Sequence, residues 1–317
     1  VINTVKTRKQ LFDVLTVFAV SGALVCLYGV AQYIFGWDTS AAWVDEEMFS
    51  DIKMRVYSTL ENPNVLGEYI LLVLPVCIGL VWQKPKKLAK LVYIAMAGIM
   101  FATLILTFSR GCWIGFMITA GLFVTFVCGK IWGLALIALP FLPMVLPESI
   151  INRIASVGDM KDSSTSYRVY IWYGSLAMVK DFWASGIGHG TQAFKSVYPF
   201  YSYSGIVAPH SHNMFLQILV ESGIVGIGVF LTTIVMFFKK LINGYQSTSG
   251  KGSKLGAMIV AIGAGVAGFC VQGMFDNCFY NYRVFLIFWI VLALGIAAVY
   301  IAKGEKEESA VKAVEEE

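Results

Sequence analysis

The sequence predicts an all-α polytopic membrane protein of about eight transmembrane helices, with a long outer loop carrying amphipathic helical segments. Three observations lead there. Of 317 residues, 57% are hydrophobic and only 14% charged, with a mean hydropathy of +0.71, far from the balance of a soluble domain. The apolar residues gather into runs close to the roughly 20 residues that a bilayer-spanning helix needs. Lysines recur between alternate runs, as the bias of cytoplasmic loops requires.

The runs fall at about 11–35, 65–82, 91–108, 112–128, 131–147, 213–238, 255–275 and 284–302. The first is too long for a cleavable signal, and the following "GWDTSAAW" offers no clean small-x-small cleavage site. A chain that begins at Val1 implies an unusual start codon or residues preceding it. A tight "SRG" separates the third and fourth runs. Residues 1–302 are expected to form one transmembrane domain, and 303–317, "KGEKEESAVKAVEEE", an acidic cytoplasmic tail.

Lysines set the orientation. Lys6, Lys9, Lys84, Lys86, Lys87, Lys90, Lys130, Lys239, Lys240, Lys251, Lys254, Lys303 and Lys306 all fall on one side if the runs alternate, so that side is cytoplasmic and both termini lie inside. The net charge of +4 is therefore topological and implies no nucleic acid partner. Arginines run the other way: only Arg8 is inside, whereas Arg55, Arg110, Arg153, Arg168 and Arg283 are outside. A planar guanidinium fork suits bidentate binding of phosphate oxygens, so an outer arginine cluster points to a lipid-linked phosphate. The plainer alternative is headgroup contact, or pairing with Asp45, Glu46, Glu47 and Asp51.

The six cysteines lie in the runs or at their edges, with no CxxC and no zinc spacing, and read as core-filling thiols. Two outer segments, about 36–64 and 148–212, are too long for turns, and long loops on a rigid scaffold are where sites concentrate. In the second, Ser163 to Ser166 can cap a helix starting near Tyr167, and Arg168, Ile171, Trp172, Ser175, Leu176 and Val179 recur at helical spacing. That is an amphipathic helix suited to the membrane surface. "GIGHG" ends it and is no nucleotide fingerprint, since no strand precedes it.

"HSHNMFLQILVESGIVGIG" (210–228) then opens the sixth run. At about 100° per residue, Gly223 and Gly226 lie within roughly 40° of His212, and Glu221 points nearly opposite. The glycines would line a close-packed seam beneath His212, with Glu221 serving a separate polar contact. His212 could be a helix-starting residue, with Asn213 satisfying orphan amides. A metal site through His-x-His with His189 lacks an adjacent carboxylate in the sequence, so no metal is expected.

"HN" followed by nine residues and then "GIVG" (His212, Asn213, Gly223, Gly226) resembles the signature of the O-antigen ligase/polymerase family. "NPNVLGEYILLVLP", "LTFSRGCWIG" and "YRVYIWYGSLAMVKDFWASGIGHGTQAF" precede it in the family's order, and together the four pieces cover most of residues 55–240. Family members usually carry several further N-terminal spans, which marks this chain as a fragment or a shortened relative. The resemblance implies transfer of a glycan from an undecaprenyl-diphosphate carrier to a hydroxyl of a glycan, lipid or protein acceptor, outside the cytoplasmic membrane and without a cofactor.

Such chemistry needs a base for the acceptor hydroxyl, cations for the leaving diphosphate and surfaces for sugars. His212 is the candidate base. By the family's pattern Arg110 and Arg168 are the candidate diphosphate binders, with Arg55 a weaker third and an interfacial anchor the alternative for Arg110. Asn213, Tyr198 and Tyr201 are candidate glycan contacts, as are Phe200 and Tyr203, although an interfacial aromatic belt explains the aromatics equally. Asn62 and Asn64 read first as turn and cap residues. No Asp-x-Asp and no GxxxxGK[ST] occurs, so neither a nucleotide-sugar metal motif nor an ATP-driven motor is expected. Within the class the alternative is a polymerase whose acceptor is a second lipid-linked glycan. From another class it is a lipid-linked oligosaccharide transporter, which should show mid-membrane polar residues and paired interrupted helices.

Overall fold

The computed structural model describes residues 1–37, 52, 54–83, 86–138, 147–190, 192–248 and 253–315. The expected acidic partners Asp45, Glu46, Glu47 and Asp51 lie outside them. Eleven α-helices and no strand occur among the described residues: α1 (Arg8–Phe35), α2 (Pro63–Trp82), α3 (Lys87–Leu106), α4 (Arg110–Val127), α5 (Ile131–Ala138), α6 (Glu148–Ala155), α7 (Ser163–Phe182), α8 (Ala193–Val197), α9 (Met214–Ser247), α10 (Lys254–Gln272) and α11 (Tyr282–Glu315). Seven of them, α1 to α4 and α9 to α11, are long and apolar enough to cross a membrane, which makes this a multi-pass membrane protein. Of the expected span at 131–147 only the eight residues of α5 and Pro147 are described; the rest falls outside.

Helices α2 and α10 form the centre of the bundle, with about three quarters of their apolar stretches buried. Small residues permit this. Gly268 of α10 faces Gly115 of α4 so closely that a Cβ on either would meet the other's carbonyl, and Thr119 Oγ1 donates to both Gly115 O and Ala264 O (3.0 and 3.1 Å). Close backbone approach of this kind replaces the hydrophobic drive that lipid cannot supply. All six cysteines are free thiols, four of them buried, as core filling predicts.

A second, smaller core lies on one end of the bundle. Ile171 and Met178 of α7, Phe194, Tyr198 and Ala208 of the following loop, and Leu216 and Val220 of α9 pack together. Helix α7 begins earlier than its sequence spacing implied: Asp162, not a serine, caps it by accepting from Ser164 N and Thr165 N (2.8 and 3.2 Å).

The sixth run is not one straight helix. Gly223 adopts φ 63°, ψ −167°, which breaks α9 into 214–222 and 224–247. Its φ is open to glycine, and a Cβ there would strike the Ala184 carbonyl. The break strands backbone groups, and the loop after α7 satisfies them. Ile187 N and Gly188 N donate to Val220 O and Glu221 O (2.9 and 3.0 Å), and Ile224 N donates to Trp183 O (2.7 Å). So "SGIGHG" is the plug of a helix break, and the straight seam expected beneath His212 does not exist. Gly226 instead abuts the Ser222 side chain.

Candidate active site

The start of α4, the chain entering α2, the loop between α10 and α11, and α6 and α7 converge on one polar cluster. Its centre is His212, whose Nδ1 lies 3.0 Å from Asp276 Oδ1. Asp276 sits in "MFDNC", just past α10, and its other oxygen accepts from Asn64 Nδ2 (3.0 Å) and lies 3.6 Å from Arg168 Nη2. Asn64 in turn accepts from Arg55 Nη2 (2.7 Å), and Arg55 Nε donates to Thr107 O (2.8 Å). One chain of contacts thus links the imidazole, a carboxylate, an amide and two guanidiniums.

His212 is held firmly. Its φ of 49° lies in the left-handed region, unusual for a residue with a Cβ. Its backbone N–H donates to His210 Nδ1 (3.2 Å), its carbonyl accepts from Trp172 Nε1 (3.2 Å), and the Tyr167 ring meets the imidazole edge-on at 5.7 Å. Contacts on every side support a conformation that costs about 1–3 kcal/mol unsupported. Only 18% of the His212 side chain is exposed.

A cavity of about 310 Å³ adjoins the cluster, lined by Arg55, Arg110, Arg153 and Arg168 with apolar Phe108, Ile114, Val169 and Trp172. His212 lies beside it, joined through Trp172, Asn64 and Arg168. Asp162, the cap of α7, pairs with Arg110 and stands 3.6 Å from Arg153, while Arg110 Nη1 also reaches Ser156 O (2.9 Å). Among the described residues the buried guanidinium Nε–H of Arg168 has no hydrogen-bond partner, nor does the Gln272 Oε1 that shares the cavity wall. Unsatisfied buried groups are rare, and an anion bound in this cavity would satisfy that of Arg168.

Electrostatics follow from this packing. Burial works to raise the Asp276 carboxyl, but the His212 hydrogen bond and the charges of His212 and Arg168 outweigh it and hold the pKa well below the carboxylate range. Asp162 shows the same contest, settled downward by Arg110 and Arg153. Burial, then the charge of His212, pushes His210 down to about 3, so its imidazole is neutral and free to accept from the His212 backbone. Burial, then the like charges of Arg153 and Arg168, lowers Arg55 to about 9, still cationic at neutral pH. Cations forced together in this way gain from a bound anion.

Of the expected site residues, His212, Arg55, Arg110 and Arg168 are gathered here. Arg283 is not; it lies 3.9 Å from Glu61 on the surface. Tyr198 is a correction: it has no exposed surface and stacks on Phe194 at 5.1 Å, so it offers no face to a sugar. Tyr201 OH donates to Asp181 (2.6 Å). Asn213 uses its Oδ1 to cap α9 through Leu216 N (2.9 Å) and its Nδ2 on Met274 O (3.0 Å). Asn64 does more than turn the chain.

The sequence reading missed Asp276 and Trp172, and it named Arg153 only as one of the outer arginines. Asp276 carried a signal: it is the single carboxylate in the connection 273–281, opposite an outer arginine excess. It also corrects the statement that no carboxylate accompanies the histidines, because His210, His212 and Asp276 offer ligand atoms within 4.8 Å of one another. His189 is not among them; its Nε2 faces Ser222 Oγ at 2.7 Å and its Nδ1 lies 3.5 Å from Glu221 Oε2. The trio fits a metal poorly. Both oxygens of Asp276 are already engaged, one by His212 and the other by Asn64 and Arg168, so its charge is met without a metal ion.

No curated protein sequence matches the chain. The sequence model described as O-antigen ligase matches residues 95–231, from the second half of α3 to the first part of α9, and includes Arg110, Arg153, Arg168 and His212 while leaving Arg55, Asn64 and Asp276 outside. Over that stretch, which holds the histidine and three of the four cavity arginines, the chain is similar to the O-antigen ligase family.

Proposed function

We propose that this protein transfers a glycan from an undecaprenyl-diphosphate carrier to an acceptor hydroxyl on the outer face of the cytoplasmic membrane, with both termini inside. The observation that carries the reading is the cavity of four arginines, whose buried Arg168 Nε–H has no partner among the described residues, set against the His212–Asp276 pair.

The chemistry follows from the residues. As the acceptor oxygen attacks the anomeric carbon, His212 takes its proton through Nε2, because Nδ1 faces Asp276. Asp276 fixes the ring's orientation and stabilises the imidazolium that forms. The bond from the anomeric carbon to the diphosphate oxygen breaks, and charge builds on the leaving group. Arg55, Arg110, Arg153 and Arg168 meet it, already placed and needing no reorganisation. The family match and the apolar cavity wall support a lipid-borne donor. Ligase and polymerase chemistry share these steps and differ in the acceptor.

The test is transfer in nanodiscs from an undecaprenyl-diphosphate-linked oligosaccharide, with donor and candidate acceptors supplied separately. Wild type should transfer and His212→Ala should not. Elongation on the carrier itself identifies a polymerase, and transfer only to an added acceptor identifies a ligase. A wild-type protein that moves labelled carrier across the bilayer without transferring glycan would make it a transporter.

A further inference from the structure

Helix α7 carries tyrosines at three-residue steps, Tyr167, Tyr170 and Tyr173. Each step turns about −60° and rises about 4.5 Å, so the three rings form a slanting stripe. The stripe starts at the active site, where Tyr167 meets the edge of His212, and its hydroxyl donates to Val207 O (2.8 Å). One turn on, Tyr170 stacks on Tyr203 at 5.3 Å with planes 10° apart, and Tyr173 lies against the same ring at 6.2 Å. Tyr173 and Tyr203 are 59% and 55% exposed. The hydroxyls of Tyr170, Tyr173 and Tyr203 hydrogen-bond to no described residue.

The face of α7 that bears the stripe carries small and polar residues, Gly174 and Ala177 among them. By helical angle, Ser163, Ser166 and Asp181 lie within about 40° of Tyr170, and Ser163 and Asp181 are exposed. The exposed apolar residues Leu176 and Trp183 lie about 120–140° away. Arg168 is further round, about 160° off, toward the cavity. Cations for the diphosphate therefore stand on one side of α7 and the tyrosines on the other, with His212 between. The same loop that supplies Tyr203 buries Tyr198 completely, so the two rings of one aromatic run have separate roles. A pyranose presents a face of C–H bonds that an aromatic ring's negative face attracts, and free phenol hydroxyls can meet sugar hydroxyls at the rim.

We infer that Tyr170, Tyr173 and Tyr203 form a stacking platform for the sugars of the acceptor, which makes the acceptor a carbohydrate chain. The inference rests on the transfer reading and names the acceptor class for it. The acceptor's reacting hydroxyl reaches His212, and the sugars behind it lie along the stripe, a path long enough for about two rings.

The experiment measures transfer from undecaprenyl-diphosphate-linked oligosaccharide to acceptors of one, two and four sugars sharing the same reacting terminus. Wild type should favour the longer acceptors. Tyr203→Ala and Tyr173→Ala should raise KM for the four-sugar acceptor about 3–10-fold, leave kcat and the one-sugar acceptor unchanged, and leave binding of undecaprenyl diphosphate unchanged. Tyr203→Phe should restore the preference. Equal loss on all acceptors would overturn the platform while the transfer reading stands. Failure of wild type to use any acceptor would instead strike the transfer reading. As an independent readout, tryptophan fluorescence of Tyr203→Trp should respond to the free tetrasaccharide. Quenching by brominated lipids would make the stripe a membrane belt and overturn the inference.

Discussion

Two histidine–carboxylate clusters flank the first segment of α9, and they differ in what surrounds them. At one end, His212 faces Asp276 at 3.0 Å, 18% exposed, with Arg168 beside the carboxylate and Asn64 relaying to Arg55. At the other, His189 stands 3.5 Å from Glu221 and 2.7 Å from Ser222 Oγ, 71% exposed. By its atoms alone, the His189 cluster resembles a nucleophilic triad. Yet Gln217 Nε2 donates to Glu221 (2.7 Å), and no arginine or lysine pairs with either partner among the described residues. Its neighbours are the backbone hydrogen bonds that close the break at Gly223. An imidazole beside a carboxylate is therefore common hardware. What separates a site from a staple is enclosure and pre-placed charge for the group that must leave.

The comparison can be broken or sharpened by substitution. The largest expected effect is Asp276→Asn, which keeps the shape and removes the charge that orients His212. Transfer should fall by on the order of 10²–10⁴, the range seen when a catalytic imidazole loses its orienting carboxylate, while Glu221→Gln should leave the rate within about twofold. Equal losses in kcat would erase the distinction between the clusters. Next is Arg168→Lys, expected to cost about 10–100-fold in kcat/KM because a point charge cannot reproduce the fork. Lys180→Arg on the exposed side of the same helix should cost nothing measurable. Equally mild effects at both positions would remove Arg168 from diphosphate binding.

A smaller effect is expected in stability. Asp162→Asn keeps the cap of α7 but removes the partner of Arg110 and Arg153. Stranding cations at a buried pair costs about 3–5 kcal/mol, read as a lowered unfolding temperature. Because the folded pKa of Asp162 is depressed, its stabilisation is complete above the ordinary aspartate value of about 3.9. It is lost as pH falls through the lower folded value. The gap between wild type and variant should thus be full at pH 7 and close in acid; a gap that widened in acid would reverse the sign.

Much of the bundle was legible because apolar run length is a one-dimensional signal. The cap over it was less so. "ESGIVG" satisfies a helical pattern on either side of Gly223, and nothing local announces that Gly186 and its neighbours will supply the hydrogen bonds of a break. Arg110, Arg168 and His212 stood out by type and by the family's spacing. Asp276 did not, because its partner lies 64 residues earlier and an aspartate between two spans reads as an ordinary turn. Tyr198 and Tyr203 share one aromatic run, and only packing against Gly174 and Phe194 decides that the first is core and the second surface.

The most direct measurement compares His212→Ala with His189→Ala in one nanodisc preparation, following glycan transfer under saturating donor and acceptor. The account predicts a loss of about 10²–10⁴ for His212→Ala and less than about twofold for His189→Ala, with both proteins inserted and folded. Comparable losses, or an active His212→Ala, would contradict it.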